Sequence, residues 1–244
     1  YEIMPSLVGS EMCIRDRAME IAIEKAGDVG TGVVVVRNSG HLGAAGYHAM
    51  MAANQGMIGW CMTAGGKTMV PTFGAEPAFG THPIAWAAPA GKMPPFVFDI
   101  ATTQVAKNKL NLVRRIGSNL EAGWIAGLDG SPIMDRVDVP SDGGFYMLPF
   151  GGTRANGSHK GYGFATVVDI MSGILSGNGP GFLNSAKSQL HIAFRIDAFV
   201  DALEFKNDLD KLLEKLANMK PAPGCDRVYY AGLMEHEELS LIHI

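Results

Sequence analysis

Three features of the sequence predict a mixed α/β (α+β) chain, built on a large, mostly antiparallel mixed sheet covered by helices. Short apolar and β-branched runs mix with helix-forming stretches at a spacing too irregular for repeated βαβ units. The G-x-G-x-x-G fingerprint is missing between the first strand and its helix; Gly30-Thr-Gly32 precedes its strand, which is the wrong order. Finally, 244 residues that are 47% hydrophobic and 18% charged supply one large core or two small ones.

The elements follow in order. Ala18–Ala26 sets Ile21 and Ala22 on one face and Glu20 and Glu24 on another, the pattern of a helix end, and Gly27–Gly32 breaks it. Val33–Val36 suits a buried strand because β-branched side chains pack well on a pleated surface. Ala44–Asn54 is helical in propensity and is stopped by Gly56. Met57–Thr63, Ile84–Ala88 and Phe96–Asp99 are predicted strands. Val105–Arg115 is a basic helix closed by Gly117, and Ser131–Gly152 is loop-rich in Pro, Asp and Gly. Phe164–Leu175 is an apolar helix reached through Gly161-Tyr-Gly163. Leu190–Ile196 alternates like a strand, and Phe199–Met219 is a charged amphipathic helix ending before Pro221.

Composition excludes several classes. The hydrophobic content excludes disorder, and a net charge of -4 gives no basic field for nucleic acid. No apolar run reaches the roughly 20 residues of a membrane span. Back-translation of Met12–Asp16 gives the reverse complement of the coding sequence for Leu239–Ile244, as two ends carrying one DNA adapter would. Residues 1–17 and 239–244 are therefore expected to be adapter-derived, and 18–238 to be the genuine segment. Cys61 and Cys225 then remain, which is neither a disulfide framework nor a zinc motif, so a reducing cytoplasm is expected.

Three constellations can carry chemistry. In Asn38-Ser-Gly-His41-Leu-Gly-Ala-Ala-Gly-Tyr47 a strand leads to a Gly-flanked imidazole at the mouth of a helix of tiny residues, suited to proton transfer beside a closely approaching ligand. The alternative is a capping Ser39 with a locally bonded histidine. Gly80-Thr81-His82-Pro-Ile-Ala85 and Phe98-Asp99-Ile100-Ala101-Thr102-Thr103 place hydroxyls and a carboxylate at a sheet edge, or else cap the helix that follows. Gly157-Ser-His159-Lys160-Gly161-Tyr-Gly163 offers free amides and a lysine at a helix start, suited to phosphate, or is a plain glycine-rich turn. It misses the P-loop pattern, because Ser158 stands where the lysine would follow Gly157. No H-E-x-x-H, Cys/His pairing or G-x-S-x-G elbow is present, so no metal is expected, and most histidines are expected in loops or on the surface.

Taken together, Ser39–Gly46, Val70–Gly74, Gly80–Ala85, Phe98–Thr102, Gly123-Trp124, Gly157–Gly163 and Leu175–Gly177 resemble the malate/L-lactate dehydrogenase family of the non-Rossmann type. The resemblance runs from about Ala18 to Glu238. It implies a non-Rossmann nicotinamide-binding domain, a homodimer, and NAD- or NADP-dependent hydride transfer between a small 2-hydroxy acid and its 2-oxo acid. A cyclic imino acid reductase, and an inactive nucleotide-binding fragment, are the alternatives. By the family pattern His41 matches the proton acceptor and also touches the cofactor. Gly43, Ala44, Ala45, Asp99, Ile100 and Ala101 match cofactor-lining positions, His159, Lys160 and Gly161 match the phosphate site, and Gly232 and Glu235 fall in a C-terminal cofactor loop. Thr81, Lys107 and Asn108 fall near the substrate. Departures from the pattern are His82 for Asn, Lys107 for Arg or Gly, and Ala231-Gly-Leu233 for Pro-Gly-Glu. The resemblance also implies that the family's opening helical region, with a substrate-binding arginine, is missing, so the fragment is expected to lack turnover.

Overall fold

The computed structural model describes residues 11–183 and 186–242, with side chains from 16 to 183 and 186 to 238. Residues 1–10 and 243–244, parts of the two ends expected to be adapter-derived, lie outside the described residues. In chain order the elements are α1 (Glu11–Val29), β1 (Thr31–Ser39), α2 (Ala45–Ala53), β2 (Met57–Ala64), β3 (Ile84–Ala88), β4 (Phe96–Ile100), α3 (Lys107–Arg115), β5 (Ile125–Ala126), β6 (Tyr146–Met147), α4 (Ser158–Val168), β7 (Lys187–Arg195), α5 (Ala202–Ala217) and α6 (Leu233–Ile242). A π-helical stretch, Asp169–Ile174, continues α4.

The sheet has the order β1-β7-β2-β3-β4, and every pairing in it is antiparallel. The predicted sheet type holds, and β4 is one of its edges. Helices cover both faces. On one side α1 and α2 press on Cys61, Ala85, Ala87 and Ala193, a floor of small side chains. Gly32 and Gly59 complete it: a Cβ on either would occupy the space of a helix carbonyl, that of Ala22 or Ala49. Small residues let the helix backbones lie almost on the strands, at the cost of the usual large/polar alternation. On the other side Met62, Ile84, Leu190 and Ile192 are larger, and Val168 of α4 packs on them.

A second core, built from Met69, Phe79, Leu120, Ile125 and Met147, holds α3 through Leu110 and Val113. A third joins Leu213 of α5 to Tyr230 and Leu233, the first residue of α6. There the Asp210 carboxylate accepts the backbone N–H groups of Gly91, Lys92 and Met93. Among the described residues no helix is long and apolar enough to cross a membrane.

Several boundaries differ from the expected ones for identifiable reasons. α4 begins at Ser158, six residues before its expected start at Phe164, because tertiary packing overrides the low helix propensity of Gly161 and Gly163. β7 begins at Lys187 rather than Leu190, since buried Ser188 and Gln189 pair in the ladder despite their polarity. α1 runs unbroken through residues 11–17, and α6 was not expected at all.

Candidate active site

The site gathers where β1 and β4 hand the chain on. Antiparallel pairing sets Asp99 opposite Ala85, and alternation along β4 turns Val97 and Asp99 toward α2. The Oδ2 of Asp99 accepts the Gly46 N–H at 2.6 Å, and the carboxylate also receives the Ala45 N–H. The N-cap residue of α2, Ala44, makes no side-chain capping bond of its own. Asp99 therefore caps α2 from a distant strand, placing negative charge at the positive helix end. Packing against the helix pushes the Asp99 carboxyl upward, and the two amides pull it partly back. Gly46 permits this approach: a Cβ there would stand 3.3 Å from both the Cβ and the Oδ2 of Asp99. Capping was weighed for Asp99 from the sequence, but of the helix that follows. The structure assigns it to α2, while Ala106, the N-cap of α3, makes no side-chain capping bond. Thr103 Oγ1 donates instead to the Val105 carbonyl.

His41 is exposed in the Gly40–Ala44 turn between β1 and α2, whose Leu42 is buried in the core. Its Nδ1 accepts the Gly43 N–H at 3.0 Å, and Gly43 adopts φ +83°, a left-handed conformation that glycine takes without strain. With Nδ1 an acceptor, the neutral ring carries its proton on Nε2. Ser39 does not cap α2; its hydroxyl receives the side-chain amide of Gln189 at 2.6 Å.

Beyond Asp99 the strand passes through half-buried Ile100 and Ala101 to Thr102. Thr102 donates to the Thr81 carbonyl through both its N–H, at 2.8 Å, and its hydroxyl, at 3.0 Å. Its own carbonyl accepts the Phe150 N–H at 2.8 Å. Phe150 lies directly against Gly161, where a Cβ would come within 2.5 Å of the Phe150 N and O. These contacts tie the start of α4 to the end of β4. There Thr72 Oγ1 and Ser158 Oγ share a hydrogen bond of 3.0 Å, and Arg154 Nη1 donates to His159 Nδ1 at 2.9 Å. Arg154, His159 and Lys160 are exposed around this helix start, and no acidic residue lies in its first turn. Gly157, at φ +95°, leaves room for the Lys160 stem, whose Cδ would lie 3.4 Å from a Cβ there. Gly232 backs onto the free edge of β4, with the Ala231 carbonyl accepting the Val97 N–H at 3.1 Å.

Contacts along this rim join α2 to Asp99 through Gly46, Thr81 to Thr102, Gly161 to Phe150 and Gly232 to Val97. Glu235 stands exposed in the first turn of α6 beside it. Lys107 and Asn108 are placed differently. They open α3, which packs on the second core, and Asn108 shares a shallow hollow of about 260 Å³ with Asn111, Leu112 and Arg115.

His48 in α2 and His191 in β7 are buried and depart from the loop or surface placement expected of most histidines, while His82 lies in a loop but is buried too. His82, at φ +39°, lies 3.5 Å from the buried Asp169 carboxylate, and His48 and His191 meet edge to face. A histidine in an apolar strand, two residues after a glutamine, was the available signal for His191. Among the described residues no three His, Cys, Asp or Glu side chains group as metal ligands do.

Residues 9–240 match the family model described as malate/L-lactate dehydrogenase. The malate dehydrogenase of Pyrococcus horikoshii is 38% identical over 95% of this chain and 66% of its own length. The L-sulfolactate dehydrogenase of Methanocaldococcus jannaschii is 35% identical over 95% of the chain and 67% of its own. The crystal structure of malate dehydrogenase from Entamoeba histolytica superposes with a TM-score of 0.86 at 34% identity, covering 93% of this chain and 67% of that one. The chain spans about two thirds of the length of the curated relatives it matches. An antiparallel sheet without the dinucleotide fingerprint, a histidine turn held against its edge strand and a match running nearly end to end lead to one assignment: this chain belongs to the malate/L-lactate dehydrogenase family.

Proposed function

We propose that the chain forms the nicotinamide-binding part of a cytoplasmic, homodimeric oxidoreductase that moves a hydride between NAD or NADP and a small 2-hydroxy acid of the malate, lactate or ureidoglycolate type. The observation that carries this reading is the Asp99 carboxylate on the first turn of α2, which sets the His41 turn against the end of β4. The rim fits a dinucleotide. Glycine and alanine at 43–46 leave space for a flat ring, and Arg154, His159 and Lys160 around the start of α4 suit phosphates. Gly43, Ala44, Ala45, Ile100 and Ala101 would line the cofactor, with Asp99 fixing their spacing. Thr81, Lys107 and Asn108 would face the substrate, and Gly232 and Glu235 would close the cofactor's other side.

When bound, a nicotinamide supplies the hydride acceptor. His41 takes the hydroxyl proton as the substrate C–H pair departs and the C=O bond forms. Because Nε2 already carries a proton, Nδ1 must receive it, and the Gly43 N–H gives way at that moment. In the reverse direction the imidazolium returns the proton to the oxo oxygen.

The test has two arms. Binding of NADH and NADPH is followed by nicotinamide fluorescence, and oxidation of malate, lactate and ureidoglycolate by the rise of reduced cofactor. In a full-length form of the enzyme, His41→Ala is expected to lower turnover roughly 10²–10⁴-fold. Turnover unchanged by His41→Ala removes the histidine from the proton transfer. Cofactor binding with reduction of a cyclic imino acid alone assigns the rim to the reductase alternative.

A further inference from the structure

The face of β7 under α1 and α2 carries an unexpected polar pair. Alternation along the strand turns Gln189, His191 and Ala193 to the same side, and both polar residues are fully buried. His191 Nε2 lies 3.3 Å from Gln189 Oε1. The Gln189 amide nitrogen lies 2.6 Å from Ser39 Oγ and 3.4 Å from the Gly40 carbonyl. Gly40 can only accept there, so the amide presents its NH₂ to the turn and its oxygen to His191. Burial, and then the neighbouring His48, push the His191 imidazole down to about 3, so it is a neutral donor at physiological pH.

The turn that Gln189 reaches is irregular. Pairing of β1 with β7 slips between Val36 and Ser39, where Asn38 takes φ +53°. The ladder skips Arg37 and Asn38, resumes for one pair at Ser39 opposite Lys187, and ends there, two residues before His41. Gln189 adds a side-chain bond at that last pair and reaches past it to Gly40. Burying a glutamine and a histidine in an apolar layer costs free energy that better-packed apolar residues avoid, so the pair needs a reason to be there.

We infer that Gln189, oriented by His191, is the positioning residue for His41: it latches Ser39 and Gly40 so that the histidine turn leaves the sheet in one conformation, with the Gly43 N–H on Nδ1. Asp99 fixes the far end of the same turn through α2. Gln189 touches no reacting atom and acts only through the backbone it holds. The functional weight of the inference rests on the assignment of His41 to proton transfer; the latch itself does not.

The experiment uses the whole chain with ¹⁵N-labelled histidine. The wild-type His41 ring is expected as the Nε2–H tautomer, with the Gly43 amide protected from hydrogen exchange. Gln189→Met keeps the length and removes the donor; exchange at Gly43 is expected to quicken about tenfold, and the His41 ring to relax toward a mixture of tautomers. The amides of Leu190 and Ile192 keep their protection, which reports an intact sheet. His191→Phe is expected to shift both signals in the same direction. Ser39→Ala repeats part of the effect and Ser39→Thr, which retains the hydroxyl, restores the wild-type signals; this pair decides the matter if Gln189→Met fails to fold. A folded Gln189→Met with His41 and Gly43 unchanged overturns the inference, as does Ser39→Thr matching Ser39→Ala. Altered His41 signals combined with unchanged turnover of a full-length His41→Ala form uphold the latch and reject the proton assignment instead.

Discussion

Two glycines in α4 give a sharp test of how the site is packed. Gly161 is buried, and a Cβ there would lie 2.5 Å from the Phe150 N and O and 2.8 Å from its Cα. Ordinary contact begins near 3.4 Å, so the helix start and residue 150 must separate by about 0.9 Å. All three obstacles are backbone, so no side chain can swing aside. The same shift strains the Phe150 N–H bond to the Thr102 carbonyl, 2.8 Å long, and the Gly151 N–H bond to Gln104 Oε1, 2.6 Å long. Overpacking costs about 1–3 kcal/mol and a weakened hydrogen bond about 1, against a gain of about 1 from replacing a helical glycine. The net loss for Gly161→Ala is about 1–3 kcal/mol, a fall in Tm of about 3–9 °C for a chain of this size. Gly163, two residues on, is exposed with nothing within 4 Å of its Cβ position. Gly163→Ala therefore gains helix propensity alone, raising Tm by about 1–3 °C. Thermal unfolding of the two variants side by side is the assay. Equal Tm values for the pair would show that α4 does not bear on Phe150 and that its start is not tied to β4.

Two further outcomes follow from the same contacts. Because the Asp99 carboxyl is held above its ordinary 3.8 in the folded chain, the unfolded chain gives up this proton first as pH rises. The contribution of Asp99 is then full below that pH and falls as pH climbs toward the folded value. The stability of the wild type relative to Asp99→Asn should decline above about pH 4 in urea unfolding; a flat or rising difference refutes the assigned direction. Cys61 is buried, donates to the Ala45 carbonyl at 3.2 Å, and has its thiol pushed upward by burial and then by Asp99, whereas Cys225 is exposed. Iodoacetamide should label Cys225 in the native chain and reach Cys61 only on unfolding, as peptide mass spectrometry would resolve; native labelling of Cys61 contradicts the packing of α2 on β2.

Much of the architecture was legible because local preference and tertiary structure agree. The valines of β1, the alanines and methionines of α2 and the apolar run of β3 adopt what their side chains favour. The failures have a common origin in burial. Gly161 and Gly163 weaken a helix locally, yet the sheet and Phe150 hold it, so the visible pattern began six residues late. Ser188, Gln189 and His191 look like a break in an apolar strand, but partners such as Thr63 and Ser39 lie far away in sequence. The candidate site divides in the same way. His41, Asp99 and Gly161 carry a signal because small residues and strand ends surround them, and contacts do link them. The role of Asp99 as cap of α2 spans 53 positions and leaves no local trace.

The histidine turn has to satisfy two opposed demands. A proton-handling imidazole must be open to its substrate, and His41 is exposed; yet an exposed turn ordinarily samples many conformations. Residues 40–44 are Gly, His, Leu, Gly and Ala: Leu42 is buried in the core under α2, while the two glycines leave the backbone on either side of it free to vary. Further restraint comes from outside and arrives at both ends: Gln189 grips Ser39 and Gly40, and Asp99 grips Ala45 and Gly46. Both anchors are side chains of the central sheet, one from its interior strand β7 and one from its edge strand β4. The span between the two anchors is four or five residues, short enough for the Gly43 N–H to find Nδ1 and close the turn on itself. Loosening either anchor should lengthen that span and release the ring, so the Gln189 and Asp99 variants are expected to converge on the same His41 spectrum although they lie in different strands. If only one of them moves the ring, the turn is held from a single side and the two-anchor account fails.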